Sequence, residues 1–182
     1  GKQFSKHYRV HLVDLRNHGR SPHSDEFNYD VMCKDVLEYI NKHKIQKPIL
    51  LGHSLGGKIA MKVAFTSPSQ IERLIVADIS PREYETDFFQ NILVFLYKLP
   101  LEDFDKREEI NNIFYYTYKD KELGLFLLKN LYRNEKKEFV WRFNLNVLLE
   151  KVRNIQNADF IQGVCDIPTH FIIYPCSFRC QL

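Results

Sequence analysis

The sequence predicts an α/β protein, a mostly parallel sheet with helices on both faces and a helical insertion. Three observations predict it. Short apolar runs alternate with helical periodicities as far as Asp78, the spacing of βαβ crossovers. A G-x-S-x-G pentapeptide, Gly52-His53-Ser54-Leu55-Gly56, followed by Gly57, stands between an apolar run and a stretch of helix formers. After Pro81 the signals turn helical, and an apolar strand returns only at Ile167.

Taken in order, Val10-His11-Leu12-Val13-Asp14-Leu15 is a strand, and Arg16 to Ser24 a polar loop rich in turn residues. From Asn28 to His43 the residues Tyr29, Met32, Val36, Tyr39 and Ile40 recur at helical spacing. Pro48-Ile49-Leu50-Leu51, bounded by proline, is a buried parallel strand. Lys58 to Phe65 is rich in helix formers and stops near Pro68. Leu74-Ile75-Val76-Ala77-Asp78 is the next strand. Glu83 to about Gln156 is helical, with one extended interruption at Phe139-Val140-Trp141-Arg142, and Ile167 to Tyr174 is a strand again. A helical excursion between two strands of one sheet is an inserted cap. The expected organisation is a core at 1–82, a cap at 83–156 and a return to the core sheet at 157–182.

With 182 residues, 45% of them hydrophobic, the chain has material for one sizeable core. The net charge of +3, with acids and bases interspersed, leaves no footprint for nucleic acid. The longest apolar run, Ile92 to Tyr97, is far too short to span a bilayer. No secretory h-region opens the chain. Cys33, Cys165, Cys176 and Cys180 have neither zinc spacing nor a paired framework, so no metal is expected. Reduced thiols suit an intracellular protein, cytoplasmic, or mitochondrial if a transit peptide lies upstream of Gly1. No cofactor fingerprint occurs, and the expected chemistry uses side chains and water alone.

The pentapeptide carries that chemistry. Composition predicts only about 0.01 such matches by chance in a chain of this length. Glycine on either side of the serine suits a turn where strand and helix backbones crowd and no Cβ fits. Ser54 then opens a helix, whose dipole and free N–H groups favour developing negative charge. A serine that merely caps an ordinary βα turn needs neither glycine. The pattern marks Ser54 as a nucleophile.

Together with the elbow, four further runs resemble the α/β-hydrolase superfamily. They are Val13-Asp14-Leu15-Arg16-Asn17-His18-Gly19-Arg20-Ser21-Pro22-His23-Ser24, Val76-Ala77-Asp78-Ile79-Ser80-Pro81, Leu127-Leu128-Lys129-Asn130-Leu131 and Trp141-Arg142-Phe143-Asn144-Leu145. The likeness runs from about residue 8 to 174, and is to the branch of YbfF-type esterases and the animal alpha/beta hydrolase domain-containing protein 11. It implies a serine hydrolase of small-molecule carboxylic esters or thioesters, working through an acyl-serine, and leaves protein partners unspecified. The alternatives are C–C bond hydrolysis or cofactor-free haloperoxidase chemistry on the same scaffold, or a non-catalytic binding module.

On this reading the Leu55 N–H supplies one oxyanion donor. The second comes from an HG-type loop, expected upstream of Gly1. Asp78, at the carboxyl end of a strand beside the elbow strand, is the candidate acid. Relatives carry a rival aspartate after the W-R-x-N-L run, but the residue here is Asn146, which holds no charge, so the acid expected is Asp78 or one beyond the chain end. Asp14, Arg16 and His18 are structural. His53 packs beneath the nucleophile.

Six of the seven histidines precede Ser54, and His170 opens the last strand, so no catalytic histidine is expected in this chain. Where relatives continue into G-G-N-S, this chain reads Pro175-Cys176-Ser177-Phe178-Arg179 and stops at Leu182. A truncation at both ends is expected, and with it an inactive fragment. The cap is rich in aromatics from Phe88 to Trp141, mostly core by this reading, with a minority lining an apolar acyl pocket.

Overall fold

The computed structural model describes residues 1–83 and 87–173. It divides into two compact units, Gly1–His23 with Lys98–Leu145 and Ser24–Tyr97 with Asn146–Leu182. Tyr174, Cys176, Cys180 and the stretch 175–179 lie outside the described residues.

The larger unit holds the sheet. Helix α1 (Tyr29–Lys42) starts at Asn28, whose side chain accepts the Val31 N–H at 3.0 Å, with Asp30 in its first turn and Lys42 in its last. Met32, Cys33 and Ile40 form its buried stripe. Strand β1 (Ile49–His53) leads through Ser54 into α2 (Leu55–Thr66), and β2 (Arg73–Ala77) follows. After α3 (Phe88–Lys98) and the excursion, α6 (Leu145–Lys151) and β5 (Thr169–Ile172) complete the unit. The strands run parallel in the order β1-β2-β5. Helix α2 packs on β1 and β2 and is itself covered by α1. That is why Ile59, Ala60, Met61, Val63 and Ala64 are buried on nearly every side.

The reading of Pro48–Leu51 as a buried strand needs correction. Ile49 is 37% and Leu51 55% exposed, because β1 has one ladder partner among the described residues and α2 covers its other face. Tyr29 stitches the start of α1 to the segment after α6. Its hydroxyl donates to the Ile155 carbonyl and its ring meets Phe160 edge-on at 4.8 Å.

In the smaller unit α4 (Arg107–Tyr118) and α5 (Lys121–Leu128) lead into a hairpin of β3 (Leu131–Arg133) and β4 (Phe139–Trp141). The single extended interruption expected near Phe139 is thus two strands. Ile110, Leu128, Leu131 and Phe139 make the unit's core, with Leu99, Leu101, Phe104 and Trp141 against it.

Two expectations fail here. Val10–Leu15 is not a strand: no ladder partner pairs with it among the described residues, and Leu12 is 82% exposed. Nor are the aromatics between Phe88 and Trp141 mostly core. Phe114, one turn from Ile110, is buried, while Tyr97, Tyr115, Tyr116, Phe126 and Tyr132 are exposed. Successive aromatics at 114, 115 and 116 point around a helix, and only the residue on the inner stripe can be buried.

Three of the sequence runs meet in this unit. The Asn144 N–H donates to the Asn17 carbonyl at 2.9 Å, and its side-chain amide donates to Asn17 Oδ1 at 3.2 Å. The Arg142 N–H donates to the Asn130 carbonyl at 2.7 Å. Within the loop, Asp14 accepts the Arg20 N–H at 2.9 Å, and Gly19, at φ 57°, passes where a Cβ would lie 2.1 Å from the Asp14 carboxyl carbon. His18 Nδ1 lies 3.0 Å from the Arg16 carbonyl, and burial pushes its imidazole below the ordinary value. These are the contacts of a structural loop.

Candidate active site

Ser54 sits between β1 and α2 at φ 53°, ψ −120°, a conformation an L-residue adopts only under strain. The surroundings hold it there. Its N–H donates to the Ala77 carbonyl at 3.0 Å, and its carbonyl accepts from Gly57 at 2.9 Å and Lys58 at 3.2 Å. Leu55 is the first residue of α2, a position whose N–H has no intrahelical acceptor.

The glycines divide the work unequally. A Cβ on Gly52 would lie 2.2 Å from the Gly56 oxygen and 2.5 Å from the Gly57 nitrogen. One on Gly57 would lie 2.6 Å from Ile79 Cγ2. One on Gly56 would meet nothing within 4 Å. Crowding therefore falls on Gly52 and Gly57, and the expectation that it falls on both glycines of the pentapeptide is corrected at Gly56.

Asp78 directly follows β2. The register pairs His53 with Ala77, so Ser54 and Asp78 leave adjacent parallel strands at the same level. Asp78 is buried, has φ 54°, and its N–H donates to the Ile172 carbonyl at 2.8 Å. Its Oδ2 lies 3.8 Å from His53 Nε2. His53 does not pack beneath the nucleophile as expected: its side chain is 50% exposed. Alternation explains this, because Gly52 faces α2 and the next residue must face away.

His170 lies elsewhere. It is level with Ile75, and Ile75 with Leu51. It therefore sits about 10 Å down the strand direction from Ser54 and two strands, about 10 Å, across. No imidazole spans that. Asn146 is exposed on α6. Among the described residues no three His, Cys, Asp or Glu side chains group as a metal site, and no helix is long and apolar enough to cross a membrane.

One residue with no role in the sequence reading belongs to this region. Lys58, one turn into α2, is 2% exposed. Its ammonium donates to the carbonyls of Arg82 and, at 3.3 Å, Asn157. Burial pushes its pKa down to about 8, with Glu83 pulling the other way. The only signal in the sequence is a lysine leading an otherwise apolar run, Ile59-Ala60-Met61.

A strained serine on a strand–helix turn, with an acid leaving the neighbouring parallel strand, is the architecture of an α/β-fold hydrolase. Residues 1–157 match the family described as alpha/beta hydrolase fold, and the chain belongs to it. Over 165 residues it is 30% identical to Esterase YbfF of Escherichia coli, covering 91% of this chain and 63% of that protein. It is 35% identical to the sn-1-specific diacylglycerol lipase ABHD11 of Xenopus tropicalis, covering 90% and 53%. A solved marine microorganism esterase superposes with a TM-score of 0.87 at 31% identity, over 94% of this chain and 68% of that one. The chain spans little more than half the length of the curated relatives it matches.

Proposed function

We propose that the full-length protein carrying this segment is a serine hydrolase that cleaves small-molecule carboxylic esters or thioesters through an acyl-Ser54 intermediate. The observation that carries the reading is the backbone of Ser54. Strain of this kind, at a helix N-terminus and beside a buried aspartate, has a use in nucleophilic catalysis and none in capping. The names of similar proteins, an esterase and a diacylglycerol lipase, support acyl esters as the substrate class.

In this mechanism Ser54 Oγ attacks the acyl carbonyl while its proton passes to a histidine. The carbonyl oxygen becomes an oxyanion at the Leu55 N–H, a contact worth about 3 kcal/mol on the barrier. Collapse expels the alcohol or thiol. Water, deprotonated by the same imidazole, then releases the acid and restores Ser54. Asp78 orients the imidazole and stabilises its charged form. The base is assigned to none of the seven histidines of this chain, and the 182 residues alone are proposed to be inactive. Residues 83–156 are proposed as the cap inserted in sequence between β2 and β5.

The test uses the full-length protein with short p-nitrophenyl acyl esters. Turnover should vanish in Ser54→Ala, and unchanged turnover there would remove the serine mechanism. The 182-residue chain should show no sustained turnover. Stoichiometric fluorophosphonate labelling at Ser54 together with turnover would place the base within it.

A further inference from the structure

Lys58 poses a physical problem. Removing an ammonium from water is costly unless it is paired and hydrogen-bonded, and this one is almost wholly buried in the elbow helix. Two of its hydrogen bonds go to main-chain carbonyls, those of Arg82 and Asn157, which belong to segments far apart in the chain. A lysine kept for packing alone has a cheaper apolar substitute of similar length in methionine. The position of the tether therefore matters. Arg82 lies four residues beyond Asp78, at the end of the stretch Ile79-Ser80-Pro81.

The start of that stretch is held by the preceding residue of the same helix. Ile79 is buried, and it fits only because Gly57 lacks a Cβ, which would lie 2.6 Å from its Cγ2. Gly57 and Lys58, consecutive on α2, thus fix both ends of the chain leaving Asp78: one admits Ile79, the other ties Arg82. Asp78 enters that segment at φ 54°, a conformation its surroundings must impose. On the other side, its N–H is held by the Ile172 carbonyl. An ammonium donating to two carbonyls is a donor, not a proton acceptor, so Lys58 does not fill the place of the base.

We propose that Lys58 is a positioning residue for the hydrolytic reaction: by tying Arg82 and Asn157 to the elbow helix it keeps the left-handed turn at Asp78, and so its carboxylate, level with Ser54. This rests on the reading of Ser54 and Asp78 as nucleophile and acid. It adds that the helix carrying the nucleophile also sets the register of the acid.

The experiment uses the full-length protein with K58M, K58Q, D78N and the double variant K58M/D78N. K58M should lower kcat about 10- to 100-fold, as expected when a reacting group shifts by about 1 Å, with KM within about threefold of wild type. K58Q keeps a donor and should recover part of the loss. In the D78N background K58M should cost little further, because the carboxylate it positions is gone. Equal fold-losses in both backgrounds, or wild-type kcat in K58M, would overturn the proposal. If K58M fails to fold, K58Q against K58Q/D78N makes the same comparison.

Hydrogen exchange reads the tether without turnover. Amides between Ile79 and Glu83 should exchange about tenfold faster in K58M, and unchanged exchange would overturn the tether itself. A wild-type protein with no Ser54-dependent turnover but loosened exchange in K58M would instead overturn the serine-hydrolase reading.

Discussion

Substituting alanine separately at the two glycines of the elbow pentapeptide should have opposite effects. At Gly52 the added Cβ would lie 2.2 Å from the Gly56 oxygen, 2.3 Å from its carbonyl carbon and 2.5 Å from the Gly57 nitrogen. All three are backbone atoms, so no rotamer change relieves the clash. The strand end and the first turn of α2 must separate by about 1 Å, which costs about 3 kcal/mol on the scale of overpacked cores. At Gly56 a Cβ meets nothing within 4 Å, and the residue lies inside α2. Alanine there gains helix propensity and reduces unfolded-chain entropy, a stabilisation of about 0.5 to 1 kcal/mol. For a chain of this length Gly52→Ala should lower Tm by roughly 6 to 12 °C, and Gly56→Ala should raise it by roughly 1 to 4 °C. Thermal and urea unfolding measure both, and equal unfolding free energies in urea for the two variants would refute the steric argument. Activity is a separate reading, since a methyl at 56 stands in the first turn of the helix that opens on the nucleophile.

Two further outcomes follow from the same region. Asp78→Asn should lower kcat of the full-length protein by about 10⁴ with little change in Tm, because asparagine tolerates a left-handed backbone as aspartate does; near-normal turnover would move the acid elsewhere. Lys58 gives a signed pH dependence: its pKa falls from 10.5 to about 8 on folding, so between those values the unfolded chain binds more protons. Wild-type stability relative to K58M should then rise from pH 8 to 10.5, by up to about 1.4 kcal/mol per pH unit for one proton, whereas a difference flat with pH would show that Lys58 folds with an unshifted pKa.

Much of the sheet and elbow was legible because it is written in local pattern. Helix α1 follows from a stripe of period 3.6, and α2 from its helix formers. The outward turn of His53 was misread, although strand alternation places it opposite Gly52. Strand β3 was not legible, because three residues are too few to show a period. The carbonyl partners of Lys58 are main-chain atoms, and no side-chain pattern records them. The difference between Gly56 and Gly57 depends on where β2 and Ile79 approach α2, a distance that no motif of five residues contains. The strand expected at Val10–Leu15 has the composition of one, but a strand exists only with a ladder partner, and none pairs with it among the described residues.

Strain shows which of these residues the fold is built to hold. Among the described residues, seven that are not glycine have positive φ. Lys44, Lys47, Lys119 and Lys137 are exposed, and Lys119 is a helix C-cap, where a left-handed residue satisfies the last carbonyls cheaply. The other three lie inside the protein or at the elbow: Asn17, Ser54 and Asp78. Each sits in one of the runs that carry the resemblance, and each is pinned by backbone hydrogen bonds, Asn17 to Pro22 and Asn144, Ser54 to Ala77, Asp78 to Ile172. A conformation costing about 1 to 3 kcal/mol survives only where its surroundings over-determine it. Ser54 and Asp78 are the two of the three that leave neighbouring strands at one level, the placement on which their proposed roles as nucleophile and acid rest. The strain and the proposed chemistry therefore have a common cause in the turns that end β1 and β2.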